Sequence, residues 1–515
     1  MRKISQHIKK IFPSPEKLKI LFIASEAAPF AKAGGLGDII CSLSFALKKL
    51  GQDPRILIPF YGIIDRKKYS FSDEIKNMKV PTDQPGDNPF LVCAVKRYNG
   101  KESVISYFLE NMEYYEKRAN IYGYSDDHIR WALLCRGALE FIKKSSWKPD
   151  IIVASDWQTG LIPNYLHTRY KSVRSNGINC LSKIPVVFVM HNLHYQGMCD
   201  FRFIPEQEKD DAKSEIPDFF NPQLGKLNWL LRGISYSEKI STVSPKYSEE
   251  ILTPEFGEGL NSVFVEKKDK LTGILNGINQ EKYNPETSPF IPFKYSTKKT
   301  ANKKNNKKHL QEKFNLPQNP NSFLIAIVAR LTEQKGFDLL EKTGEALLKN
   351  LPIQIVVLGD GEPRYKEMIK NLSDKFPGQV KYSLEFDSEL PHLVFAGSDA
   401  LLMPSKFEPC GITQMQAMKY GCVPIVRKTG GLASTVENFN PEKNKGNGFV
   451  FDDYDPMSLY AAIVRAYSIF ELKKTWNEIM KRAMKKDFSW EHSAKEYLLL
   501  FHKTLQSKKT KDVLD

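Results

Sequence analysis

Short runs dominated by apolar residues alternate with helix-like stretches along this chain, and the pattern occurs twice. Such runs stand at Ile20–Ala24, Arg55–Pro59, Ile151–Ala154, Pro185–Met190 and Lys239–Val243. They return at Phe323–Ala329, Ile353–Leu358, Ala400–Met403 and Val423–Val426. Each has the length and continuity of a strand buried on both faces of a parallel sheet. Helical patterns such as Asp127–Lys144 and Gly336–Leu351 lie between them. The alternation predicts an α/β fold of parallel sheets covered by helices. Two sets in 515 residues predict two doubly wound, Rossmann-like domains. The join is expected within Gly273–Pro320, where prolines and a Lys/Asn-rich segment, Lys298–Lys308, collect. Ligands on such sheets bind beyond the carboxyl ends of the strands, so the cleft between the domains is the expected site.

Composition narrows the class. Hydrophobic residues make up 41% of the chain, a globular value. No run of 18 apolar residues is present, so no membrane-spanning helix and no membrane partner is expected. Residues 1–16 read as an N-terminal extension. The start, M-R-K-I-S-Q-H-I-K-K-I-F, is basic but lacks the continuous apolar core of a secretory signal, and residues 1–12 read as a frayed terminal helix. The first strand begins near Lys17, which leaves little room for a cleaved transit peptide. The seven cysteines stand singly, which suits a reducing compartment, so a cytoplasmic location is expected. The formal charge of +15 owes much to Lys298–Lys308. Lysine without interleaved aromatics or arginines reads as a solvated surface or linker, so no nucleic-acid partner is expected. Net positive charge does favour encounter with an anionic substrate.

The polar residues gather just after predicted strands. After Ile20–Ala24 comes Ser25-Glu26, then A-K-A-G-G-L-G-D, with Lys32, Gly34, Gly35, Gly37 and Asp38. Asp38 stands where an N-cap is expected, ahead of apolar residues at helical spacing. Glycines between strand and helix let backbone N–H groups approach an anion, and the helix terminus and Lys32 favour one. The same loop also serves as a tight turn that binds nothing; it is neither G-x-G-x-x-G nor a P-loop. Asp156 follows Ile151–Ala154, and His191 and His194 follow Pro185–Met190. Arg330, Gln334 and Lys335 follow Phe323–Ala329. Glu408 follows Ala400–Met403, and R-K-T-G-G-L follows Val423–Val426.

Arg330 and Lys335 suit a diphosphate, arginine through paired contacts and lysine as a point charge. Pro409–Thr413 opens a predicted helix, so Cys410, Gly411 and Ile412 offer N–H groups to the same phosphates. Glu408 can accept from sugar hydroxyls, and His191 can donate to one or face charge developing at a reacting carbon. Each residue also has a structural reading: Asp156 as a cap, His191 as a satisfied core histidine, Arg330 and Lys335 as a surface pair, Glu408 as a helix-start carboxylate. Cys410 reads as a small turn residue rather than a nucleophile, and His194 as structural. No His/Cys metal spacing is present, and Asp453-Tyr454-Asp455 sits in an acidic loop.

Taken in order, A-K-A-G-G-L-G-D, A-S-D-W-Q-T-G-L, H-N-L-H-Y-Q-G, G-I-L-N-G-I-N, R-L-T-E-Q-K-G-F-D-L-L, P-S-K-F-E-P-C-G-I-T-Q and R-K-T-G-G-L-A resemble the bacterial glycogen synthase and plant starch synthase family. The resemblance runs from about Lys17 to about Trp490. It implies the two-domain GT-B fold, with a starch synthase catalytic domain over 17–272 on the acceptor side. A nucleotide-sugar domain over 273–490 and a C-terminal helix and tail over 491–515 follow. It further implies transfer of glucose from ADP-glucose to the 4-hydroxyl at the non-reducing end of an α-1,4-glucan, with retention and without a metal or other cofactor. By the same resemblance Lys32, Asp156, His191, Arg330, Lys335 and Glu408 are catalytic. Glu26, Gly34, Gly35, Gly37, Asp38, Asn276, Gln334, Phe386, His392, Cys410, Gly411, Ile412 and Thr413 bind substrate. Phe386 stands where the family usually places a tyrosine against the adenine.

The chain departs from the family pattern at Lys406, Gln416, Ser434, Asn279 and Gln158. Rival expectations are a GT-B transferase using a UDP- or GDP-sugar, a non-catalytic glucan- or nucleotide-binding protein, and a phosphorylase-like enzyme.

Overall fold

The computed structural model describes residues 17–84, 86, 88–100, 103–174, 180–198, 203–385 and 387–514, with side chains to 508. The terminal helix expected over residues 1–12 and the adenine-facing Phe386 lie outside the described residues. The chain divides into two compact units. The first holds the chain up to Val243, Ser248–Ile274 and the helix Trp490–Leu514; the second holds Ser244–Tyr247 and Leu275–Ser489.

The first unit is built on a nine-stranded sheet. Its strands are β1 (Lys19–Ile23), β2 (Asp53–Pro59), β3 (Ser72–Pro81), β4 (Phe90–Tyr98), β5 (Ile105–Glu110), β6 (Ile151–Ser155), β7 (Val186–Met190), β8 (Lys239–Thr242) and β9 (Leu271–Gly273). They lie in the order β3-β4-β5-β2-β1-β6-β7-β8-β9. From β5 to β9 every pairing is parallel, whereas β3–β4 and β4–β5 are antiparallel. The expectation of a purely parallel sheet is therefore corrected at this edge. β3 sets charged and polar residues among its apolar ones, and β4 opens with an apolar run, Phe90–Val95, of which only Cys93 and Val95 are buried, so each strand has a wet face, unlike the strands of a sheet buried on both sides. In the middle of the sheet Ile20–Ile23 and Ile151–Ala154 are almost wholly removed from water.

The second unit has six strands: β10 (Phe323–Val328), β11 (Ile353–Leu358), β12 (Val380–Ser383), β13 (Ala400–Met403), β14 (Val423–Arg427) and β15 (Phe449–Phe451). All are parallel, in the order β12-β11-β10-β13-β14-β15. The parallel part of each sheet reverses its strand order once, at β1/β6 in the run from β5 to β9 and at β10/β13, and the carboxyl ends of the strands at such a point are where ligands bind.

Two further expectations are corrected. The helix after the glycine loop runs Gly35–Lys49 with Gly34 as its N-cap, so Asp38 lies in the first turn and not at the cap. There its carboxylate still faces the positive helix end. The Lys/Asn-rich segment is no linker. It forms most of the helix Asn302–Lys313, whose Lys303, Asn306, Lys307, Leu310 and Gln311 are buried. Lys307 Nζ reaches Asp399 Oδ2 at 2.6 Å and the carbonyls of Pro320 and Ser322. Lys303 Nζ donates to the carbonyls of Phe395 and Ala396, in the last turn of the helix Leu390–Gly397. Lysines hold the end of a neighbouring helix, where its unpaired carbonyls carry negative charge. Asp455 of the D-x-D caps the helix Pro456–Glu471, accepting from the N–H groups of Met457 and Ser458.

The C-terminal helix is anchored to the first sheet by Lys508. Its Nζ lies 2.5 Å from Glu238 Oε1, while Glu238 Oε2 accepts the N–H of Val186 at the start of β7.

Candidate active site

In the first unit the glycine loop is organised by a carboxylate from the end of β1. Glu26 is buried, and its Oε2 accepts the N–H groups of Ala33 at 2.5 Å and Gly34 at 3.1 Å. The Gly34 donor, one of the three expected to face an outside anion, is thus taken by a carboxylate of the chain itself. Gly37 packs closely on the loop: a Cβ there would lie 3.2 Å from the N of Ala28, a tight contact that the neighbour must yield to slightly, and 3.5 Å from Glu26 Oε2. Lys32 and Asp38 form an exposed pair, Nζ to Oδ2 2.5 Å.

Tyr122 lies between this loop and the end of β6. Its hydroxyl hydrogen-bonds Ser25 Oγ at 2.8 Å. Burial, with Glu26 and Asp156 nearby, holds the phenol well above its usual range. Asp156 has φ +58 and ψ 178, a region that non-glycine residues rarely enter. The conformation aims its Oδ1 at the N–H of His191, 2.7 Å away, which ties the ends of β6 and β7 together. Burial raises the Asp156 carboxyl, with His191 and two backbone amides opposing, and burial lowers the His191 ring. The imidazole is therefore neutral at neutral pH. Neither of its ring nitrogens has a hydrogen-bond partner, and Ser155 Oγ and Gln158 Oε1 are likewise buried and unpartnered among the described residues. Several idle polar atoms at adjoining strand ends are what a site awaiting hydroxyl groups presents.

In the second unit Lys335 Nζ and Glu408 Oε2 lie 2.6 Å apart, and Ser405 Oγ donates to the same oxygen. The loops that carry them are stitched together. Lys406 N–H donates to the Gln334 carbonyl, and Gln334 Nε2 donates to the Phe407 carbonyl. Gly336 turns the chain with φ +75, where a Cβ would sit 2.1 Å from the Pro404 carbonyl oxygen. Arg330 is exposed, and no described residue engages its guanidinium.

The helix expected at Pro409–Thr413 begins at Thr413, with Ile412 as N-cap, and Cys410 and Gly411 lead into it. Gln414 Nε2 donates to the carbonyls of Cys410 and Gly411, which holds that entry turn. The Cys410 thiol is buried, hydrogen-bonded to Asn276 and pushed up to about 12, an inert group. Asn276 Oδ1 is buried without a hydrogen-bond partner.

His392, in the first turn of the helix Leu390–Gly397, has its Nε2 buried without a hydrogen-bond partner among the described residues. Its ring is fully buried in an aromatic box, stacked on Tyr283 at 4.8 Å and 8°, flanked by Phe290, with Nδ1 2.8 Å from the Tyr420 hydroxyl. Burial draws its pKa down to about 4.

Comparison with known proteins matches the same two parts of the chain. Residues 19–266 fit the starch synthase catalytic domain, and residues 308–483 fit the glycosyl transferases group 1 domain. A glycogen synthase of Alkaliphilus metalliredigens is 39% identical over 488 residues, 94% of this chain and 99% of that one. One from Geotalea daltonii is 39% identical over 500 residues, 95% and 100% of the two chains. The chain belongs to the glycogen synthase and starch synthase family. It is a glucosyltransferase of that kind, with the GT-B fold. The catalytic domain of starch synthase IV from Arabidopsis thaliana, solved with ADP and acarbose, superposes with a TM-score of 0.80 at 29% identity, over 95% of this chain and all of that one. A sucrose-phosphate synthase of Thermosynechococcus elongatus, at 16% identity and a TM-score of 0.57, shares the fold. Among the described residues no helix is long and apolar enough to cross a membrane.

Within this synthase several functional contacts escaped the reading of the sequence. Tyr122 lies far along the chain from the Ser25 hydroxyl it touches, Ser405 is only three residues from Glu408, and Gln414 acts on backbone carbonyls. Tyr122 and Gln414 do not stand directly after a predicted strand, the signal that drew attention to the others, whereas Ser405 does, and its small hydroxyl carries no signal beside the charged Glu408. Two family departures have visible partners. Lys406 Nζ makes an exposed pair with Glu333, and Ser434 Oγ accepts the N–H of Lys246.

Proposed function

We propose that this synthase transfers glucose from ADP-glucose to the 4-hydroxyl at the non-reducing end of an α-1,4-glucan, with retention at the anomeric carbon, as part of glycogen synthesis in the cytoplasm. The observation that carries the assignment of roles is the buried Lys335–Glu408 pair beside the helix start at Thr413. A dianionic diphosphate draws the Lys335 ammonium to itself, and the freed Glu408 carboxylate accepts hydrogen bonds from the glucose hydroxyls. Arg330, with no internal partner, closes on the same diphosphate through paired N–H groups. Backbone N–H groups from Cys410 to Thr413 and the side chains of Asn276 and Gln334 complete the grip on the donor.

The charge that builds on the leaving ADP is met by these fixed cations, so the reaction needs no metal ion or other cofactor. As the C–O bond breaks, the anomeric carbon becomes oxocarbenium-like. The acceptor hydroxyl attacks from the face that ADP leaves, and a phosphate oxygen takes its proton. Neutral His191 hydrogen-bonds a sugar hydroxyl, Asp156 fixes the His191 backbone through its N–H and faces the developing positive charge, and Lys32 adds positive charge toward the donor.

The experiment is incorporation of labelled glucose into glycogen from ADP-glucose and from UDP-glucose, side by side, in EDTA. Strong transfer from ADP-glucose alone is the expected result. Transfer only from UDP-glucose would overturn the donor assignment, and transfer that requires an added divalent cation would overturn the metal-free mechanism.

A further inference from the structure

The segment that leaves β7 holds one aromatic side chain out in water while clamping the residue that follows. Gln196 is buried, and its amide is used at both ends: Nε2 donates to the Glu258 carbonyl at 2.8 Å, and Oε1 accepts from Asn228 Nδ2 at 2.7 Å. Its own carbonyl accepts the N–H of Leu230. Asn228 is fixed in turn by Asp210, which also holds the buried Arg232 through two contacts of 2.7 Å. On the other side His191 is tied to Asp156, and His194 donates its N–H to Asn192 Oδ1. Tyr195 stands between these anchors with 55% of its surface exposed. The His194 ring meets it edge-on, centroids 5.4 Å apart at 89°. Met198, three residues further along, is exposed as well.

A loop this firmly tied cannot turn Tyr195 inward, so the fold maintains the exposure of a large aromatic ring. The position is four residues past His191, at the carboxyl edge of the sheet where the idle polar atoms lie. The ligand that suits it is neutral and amphipathic. A pyranose ring presents C–H groups on its faces and hydroxyls at its rim, and a tyrosine offers a flat apolar face with a hydroxyl at its edge.

We propose that Tyr195 is a stacking platform for a glucose ring of the α-1,4-glucan acceptor, held at its station by Gln196. This rests on the reading that the chain lengthens such a glucan. Tyr195 is then a binding residue for the acceptor and takes no part in gripping the nucleotide.

The test compares wild type, Tyr195→Ala and Tyr195→Phe in two assays: retardation in native gels containing glycogen, and steady-state transfer with glycogen and ADP-glucose varied separately. Loss of one aromatic contact is expected to weaken glycogen binding by about three- to tenfold in Tyr195→Ala. The KM for glycogen should rise in step, the KM for ADP-glucose should hold, and Tyr195→Phe should stay near wild type. The ring is exposed, so the melting temperature of both variants should match wild type. Unchanged retardation of Tyr195→Ala, or a rise confined to the KM for ADP-glucose, overturns the proposal. Wild type retarded by glycogen but without transfer would sink the functional reading alone, and the retardation of Tyr195→Ala would still decide the platform. Wild type that is neither retarded nor active would overturn both.

Discussion

Lys335 and Glu408 are 73 residues apart in the chain and 2.6 Å apart in space, a largely buried ion pair that joins the turn after β10 to the loop after β13. Both groups have a role toward the donor, so each does two jobs. Removing one leaves the other charged in a poorly solvated place. Lys335→Ala is expected to slow turnover at saturating ADP-glucose by ~2–4 kcal/mol of activation free energy. Glu408→Gln should do the same, and the double variant should cost much less than the sum, since the partners share one interaction. Steady-state kinetics of the three variants check this. Full turnover of Lys335→Ala at saturation, with only a raised KM, would place its contribution in ground-state binding.

Arg330 offers the opposite case. It is exposed and engages no described residue, so its removal disturbs nothing internal. Arg330→Ala should melt within about 0.5 kcal/mol of wild type. Its turnover should nevertheless fall by an amount comparable to Lys335→Ala. Calorimetry together with transfer rates reads both. A matching loss of stability would show that the arginine is structural.

The first unit should lose stability on mild acidification, and His191 is the reason. Its folded pKa lies below the usual value because burial disfavours the charged ring. Between the usual histidine pKa of about 6.5 and that lower value, the unfolded chain binds a proton that the folded one does not. Stability is therefore complete above that window and falls with pH inside it, by at most about 1.4 kcal/mol per pH unit. Asp156 works the other way. Its raised carboxyl takes up a proton in the folded state before it would in the unfolded chain, which offsets part of the loss at lower pH. The drop in melting temperature from pH 7.5 to pH 5.5 should shrink in His191→Asn. An unchanged drop would assign the sensitivity to other groups.

How much of this was legible in the sequence depends on how local the signal is. Central strands such as Ala400–Met403 are continuous apolar runs, and the structure places that one at the same residues. The wet-faced β3 carries no such run, and β4 carries one, Phe90–Val95, that is only partly buried. Strand ends drew attention to Asp156, His191, Lys335 and Glu408 as residue types. They could not show that Glu26 spends its carboxylate on the N–H groups of Ala33 and Gly34, or that Lys335 and Glu408 pair. Those contacts depend on backbone direction and on pairing between distant segments. The Lys/Asn segment failed for a different reason. Composition averages over a helix, whereas burial selects one face of it, and Lys303, Asn306, Lys307, Leu310 and Gln311 recur at the three- and four-residue spacing of a single face.

Lys307 tests that last point. Its ammonium is buried against Asp399 Oδ2, and the same oxygen accepts the N–H of Leu324 in β10. Lys307→Met removes the partner of a buried carboxylate that also holds a central strand. The expected cost is about 3–5 kcal/mol of stability, confined to the second unit. The neighbouring Lys304 and Lys308 are exposed on the same helix, so replacing either with Met should change stability by no more than about 0.5 kcal/mol. Denaturant melts of the three single variants compare them directly. Equal, small effects at all three positions would return the segment to the solvated linker that its composition suggests. A large loss at Lys307 alone would establish that one lysine in the run is part of the core.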